Sequence, residues 1–138
     1  MKIAVVGAHL SGLPLNHQLL ERGATLARTT WTAPWYRLYA LPNTMPPKPG
    51  LLRVAGGAGG ELGPGVEVEV WEMEPAAFGS FVDGVPPPLC IGTIDLEDGE
   101  SVKGFLAESY AVAGAKDTSA STASKCTQTR WIITSPRY

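Results

Sequence analysis

The chain opens with a short apolar strand, Lys2 to Val6, that runs without interruption into Gly7-Ala8-His9-Leu10-Ser11-Gly12 and then into a segment led by Pro14. A strand, a small-residue loop and a proline-initiated helix gather backbone N–H groups near a helix start, where a carboxylate or phosphate can sit. Leu15, Leu19 and Leu20 recur at helical spacing and Gly23 follows, so the pattern predicts a helix over 13–21. The loop is not a dinucleotide fingerprint, because His9 stands where the middle glycine would let a pyrophosphate approach. It is not a phosphate loop of the Lys-Ser/Thr type either, since Leu13-Pro14 follows Gly12.

Downstream the chain reads as strands. Ala24 to Thr32 and Tyr36 to Leu41 are β-rich, Leu51 to Val54 is shorter, and a glycine-rich loop runs from Gly56 through Gly65. Val66, Val68 and Val70 alternate with Glu67, Glu69 and Trp71, the period of a strand with one wet face. Glu74-Pro75 opens a short helix through Val82. Ile91 to Leu96 and Ser101 to Ala107 flank an Asp98-Gly99 turn and form a hairpin. From Thr118 the composition turns to Ser, Thr, Ala and Lys, with little to bury. One domain over 1–117 and a divergent tail over 118–138, either disordered or loosely attached, are the expectation.

A length of 138 residues with 44% hydrophobic and 17% charged content suits a single globular domain. No apolar run approaches the roughly 18 residues of a membrane span. Met1-Lys2 leads into a strand instead of a signal peptide, so a cytoplasmic location is expected. A net charge of −2 argues against nucleic acid or an anionic membrane as partner. Cys90 and Cys126 have neither zinc-site nor paired-cysteine spacing, so no metal centre is signalled.

His9 is the leading candidate for proton transfer, because imidazole exchanges a proton near neutral pH and this one stands among loop amides. The plainer role is a histidine that fills the loop. The amides of Gly7, Ala8, Leu10, Ser11 and Gly12 are candidate holders of a substrate carboxylate, and Asn16 either closes the loop or touches substrate. Arg37 offers a bidentate fork or a surface ion pair, and Tyr36 beside it is grouped with it as a substrate contact. By parity Glu72 shares the side of Val66, Val68 and Val70, where a buried carboxylate needs a cation such as Lys103 or Arg37; it is either a structural ion pair or a second acid/base. Solvent exposure is the default for Lys103.

The opening strand and loop, together with Thr32-Ala33-Pro34-Trp35-Tyr36-Arg37-Leu38-Tyr39-Ala40-Leu41-Pro42, Pro46-Pro47-Lys48-Pro49-Gly50-Leu51, Val68-Glu69-Val70-Trp71-Glu72 and Val102-Lys103-Gly104-Phe105-Leu106, closely resemble the C-terminal domain of allophanate hydrolase. The loop also resembles the substrate loop of the γ-glutamyl cyclotransferase fold, with Val6-Gly7-Ala8-His9-Leu10 in place of that family's Tyr-Gly-Ser-Leu. The cyclotransferases' catalytic Glu has no counterpart beyond Asp83 beside Gly84.

These resemblances imply an α+β fold: a mixed, bent or barrel-like sheet with two short helices. They imply breakdown of N-carboxycarbamate, the product an amidase leaves from allophanate, with loop amides holding one carboxylate, Arg37 or Lys103 the other, and His9 donating the proton. Neither a metal nor an organic cofactor is implied. The sequence shows no amidase motif, so a separate amidase is the expected supplier, and a homo-oligomer is left open. A non-catalytic assembly domain, a small-carboxylate sensor and a cyclotransferase acting on an amino-acid amide are the alternatives.

Overall fold

The computed structural model describes residues 1–41, 49–54, 65–112 and 116–117. Most of the glycine run and the whole of the 118–138 tail lie outside the described residues.

Among the described residues eight strands carry the fold: β1 Lys2–Val5, β2 Thr25–Trp31, β3 Tyr36–Ala40, β4 Pro49–Arg53, β5 Glu67–Glu72, β6 Leu89–Asp95, β7 Ser101–Ala107 and β8 Lys116–Asp117. Helices are short: α1 His17–Leu20, α2 Pro75–Asp83 and α3 Ser109–Val112. The strand, second-helix and hairpin expectations agree with these elements to within two or three residues. Five strands form one sheet in the order β2-β5-β1-β7-β6, and β4-β3-β8 form a second.

The first strand lies in the middle of the larger sheet, antiparallel to β5 and parallel to β7. Its alternation explains why. Ile3 and Val5 enter one buried cluster with Leu10, Leu19, Trp71, Phe81 and Phe105, while Ala4 and Val6 enter another with Leu38, Leu51, Val68 and Val70. A strand apolar on both faces is stable only between two covered layers. Each large side chain so buried contributes roughly 1.5–3 kcal/mol. At the β1–β7 contact, Gly104 is required by space: a Cβ there would lie 2.8 Å from the Ala4 carbonyl oxygen and against Ile94.

The larger sheet curls on itself. Its outer strands meet at one end, where Thr32 bridges Leu96, the Ala33 amide donates to the Asp95 carbonyl at 2.9 Å and the Glu97 amide donates to the Trp31 carbonyl at 2.9 Å. Arg28 of β2 pairs with Asp98 and Glu100 across the same junction. The smaller sheet is tied in by Tyr36, whose buried hydroxyl accepts the Asp95 amide at 2.9 Å. The fold is thus α+β with a mixed, barrel-like sheet.

Two expectations fail here. The segment expected to be helical over 13–21 is mostly consecutive turns: Leu13 and Asn16 amides reach back three residues, and the Leu15 amide donates to the Ala8 carbonyl at 2.8 Å. Only one helical turn, α1, remains, so Pro14 does not start a helix that could cap an anion. Glu69, expected on a wet face, is buried at 3% exposure. Among the described residues no helix is long and apolar enough to cross a membrane.

Candidate functional site

After β1 the backbone at Val6 is still extended, then coils into a single 3-10 turn, Gly7–His9, with the Leu10 amide donating to the Gly7 carbonyl at 3.0 Å. The turn delivers the His9 ring between two phenylalanines. It stacks on Phe105 of β7 with centroids 5.2 Å apart and planes at 19°, and meets Phe81 of α2 edge-on at 5.3 Å and 87°. His9 Nε2 lies 2.8 Å from Gln18 Oε1. With Oε1 as acceptor, Nε2 carries the proton and the ring is oriented by α1.

Asn16 fixes the same loop. It is buried, and its Nδ2 donates to the His9 carbonyl at 2.8 Å, which is the loop-closing role. Beside His9 opens a cleft of about 480 Å³ whose walls include Phe81 and Phe105, then Gln18, Glu21 and Arg22 from α1 and the turn after it. Arg22 donates from Nη1 to the Gln18 carbonyl at 3.0 Å, and its guanidinium lies 5.7 Å over the Phe81 ring.

Sequence reasoning missed Gln18 and Arg22, and it also missed Glu69. One of its carboxylate oxygens accepts the Ser11 amide at 2.8 Å, the Ser11 hydroxyl at 3.0 Å and the Trp71 indole N–H at 3.2 Å. A carboxylate so deep needs several donors, and the loop supplies them. The anion that the Ser11 amide holds is therefore the protein's own. Trp71 was the available signal: it shares the Glu69 face by strand parity, and a tryptophan there marks a covered side.

Other expected site residues are dispersed. Gly7, Ala8 and Leu10 are buried and Gly12 is exposed, and of the loop amides Leu10 is already bonded to the Gly7 carbonyl and Ser11 to Glu69. Glu72 is not on a buried side: it ends β5 beyond the core, exposed, in register with Lys2 and Thr25. Lys103 is exposed and donates to Thr93 Oγ1 at 3.0 Å. Tyr36 is buried against β6, and Arg37 is half-buried opposite Leu52. None of Tyr36, Arg37, Glu72 and Lys103 lines the His9 cleft. Cys90 is half-buried and its thiol is pushed up, mainly by burial and then by Glu108, which leaves it a neutral thiol. No three metal-ligating side chains come together among the described residues.

The sequence profile of the allophanate hydrolase C-terminal domain family matches residues 1–125. A urea amidolyase of Lachancea kluyveri is 48% identical over 111 residues, which is 80% of this chain and 6% of that protein's length. The Kluyveromyces lactis allophanate hydrolase structure superposes with a TM-score of 0.76 at 44% identity, over 84% of this chain and 19% of that one. A uropathogenic E. coli protein of comparable size superposes at 0.73 with 33% identity, over 85% and 86% of the two chains. An uncharacterized Pyrococcus horikoshii protein superposes at 0.57 with 20% identity, covering 78% of this chain and 77% of its own, a likeness of fold.

Proposed function

The chain belongs to the allophanate hydrolase C-terminal domain family, and on that premise we propose that its His9 cleft breaks down N-carboxycarbamate or a closely similar dianion. The observation that carries the reading is the imidazole itself: it is held by Phe81, Phe105 and Gln18 at the wall of a cleft of about 480 Å³. A ring stacked on Phe105, met edge-on by Phe81 and oriented through Nε2 by Gln18 is fixed in place for proton transfer.

The chemistry needs two protons, taken one at a time, and no oxidant or reductant. As the C–N bond of the dianion breaks, its electron pair goes to nitrogen, CO2 leaves, and a proton from His9 gives carbamate; the ring regains a proton from water. Carbamate then takes a second proton and separates into ammonia and CO2. Phe81 and Phe105 lower the polarity around the ring, which strengthens each electrostatic contact inside the cleft. Glu69 serves at a distance by fixing the Ser11 end of the loop. Glu72 and Lys103, exposed on other surfaces, are left out of the reaction.

The test supplies the unstable substrate in place from an added allophanate amidase whose own activity is followed separately. His9→Asn should fold normally and reduce ammonia and CO2 release by about a hundredfold or more relative to the native chain. Equal release with the native chain, with His9→Asn and with no added chain would show that the breakdown is spontaneous. A second reading would then take over, a non-catalytic domain that packs against an amidase. It is favoured by the fact that the matching segment is a small share of the urea amidolyases, and it requires co-elution with the amidase.

A further inference from the structure

Among the described residues Arg22 is a cation without an anion. Lys2, Arg28 and Arg53 each pair with a carboxylate. Among the described residues the acceptors of the Arg22 guanidinium are neutral: the Gln18 carbonyl at 3.0 Å and the Ser80 hydroxyl, reached by Nε at 3.3 Å and Nη2 at 3.2 Å. Glu21, the carboxylate on the same cleft, is exposed and makes no ion pair with it. A guanidinium stacked on an aromatic ring and partly desolvated is under-satisfied by carbonyls and hydroxyls, and its planar fork matches a carboxylate.

Arg22 is also in the right company. Its guanidinium and the His9 ring both pack on Phe81, and both groups are bonded to Gln18, one through the backbone carbonyl and one through the side-chain amide. The two therefore share a scaffold and a cleft. Arg37 and Lys103 do not line that cleft.

We propose that Arg22 is the carboxylate-binding residue of the cleft, and that the site takes a short dicarboxylate whose two carboxylates flank one atom. One carboxylate would displace Ser80 from the guanidinium fork, leaving the bridging atom on the His9 side. This deepens the function proposed above and rests on it for the identity of the natural substrate, though not for anion binding as such. Malonate, with CH2 in place of NH, is a stable probe of the same shape and charge.

Calorimetric titration of malonate into the native chain, Arg22→Gln, Arg22→Lys, Ser80→Ala and Lys103→Ala tests it. The native chain and Lys103→Ala should bind equally, Arg22→Gln about tenfold or more weakly, and Arg22→Lys in between. Ser80→Ala removes the competing neutral acceptor and keeps Arg22, so its affinity should be equal or higher, a result that holds even where Arg22→Gln proves poorly folded. Acetate should bind more weakly than malonate. In the coupled assay Arg22→Gln should raise KM, whereas His9→Asn lowers kcat. Malonate binding that Arg22→Gln leaves unchanged, weakened binding in Ser80→Ala, or no binding to the native chain would overturn the assignment, even with His9-dependent turnover intact. Arg22-dependent malonate binding without any turnover would support it while removing the enzymatic reading.

Discussion

Glu69 and Ser11, 58 residues apart in sequence, are joined by two hydrogen bonds to a single carboxylate oxygen, at 2.8 Å from the backbone amide and 3.0 Å from the hydroxyl. This pair ties β5 to the loop that carries His9. Glu69→Ala leaves the Ser11 amide and the Trp71 indole without that acceptor, and each buried unsatisfied donor costs about 1–3 kcal/mol. Urea unfolding should therefore show a loss of about 2–4 kcal/mol, with Glu69→Gln losing less. A loss within experimental error for Glu69→Ala would mean that the loop is fixed by other contacts.

Tyr36 is expected to matter for stability and not for ligand. Its hydroxyl accepts the Asp95 amide at 2.9 Å in a buried setting, so Tyr36→Phe should lower stability by about 1–2 kcal/mol. Malonate affinity should stay as in the native chain. Weaker malonate binding at unchanged stability would return Tyr36 to the site.

Gly104→Ala should be strongly destabilising, because the added carbon meets the Ala4 carbonyl oxygen at 2.8 Å and Ile94 beside it. Overpacking of this kind costs about 1–3 kcal/mol. Here one neighbour is backbone in the central strand, which cannot rotate away. A melting temperature equal to that of the native chain would show that β1 and β7 are spaced more loosely than described.

Charge at the sheet junction gives a pH signature. Asp98 is held below the usual carboxylate range first by its hydrogen bond from Arg28, and Glu100 first by Lys2 and then by Arg28. Lowered folded values mean that this contribution is fully present above the ordinary carboxylate range, about 4, and is lost as pH falls through the lowered values. Arg28→Ala should melt slightly below the native chain at neutral pH, and the gap should close by about pH 2 or in roughly 1 M salt. A gap independent of both would point to lost packing instead.

The strands were legible because their signal is local: alternation at Val66, Val68 and Val70, and an Asp98-Gly99 turn between two β-rich runs. His9 and Asn16 could be singled out because they sit in a small-residue loop after a buried strand. Arg22 could not, since an arginine before the glycine that ends a helical pattern has an ordinary reading as partner to the last carbonyls. Glu69 and Glu72 exchanged expected roles for a nonlocal reason. Parity says which face a side chain takes, but what covers that face and where the core stops are set by the Ser11 loop and by the strand's end.

The central place of β1 has a consequence for synthesis. Translated ahead of both neighbours, β1 must wait for β5, some 65 residues later, to cover one edge, and for β7, some 100 residues later, to cover the other. Until Ala107 emerges, an apolar strand keeps an open edge able to pair with another chain. Completion of the domain is thus tied to nearly its whole length being translated, and any pause before β7 prolongs the interval in which β1 is exposed to aggregation or to chaperones.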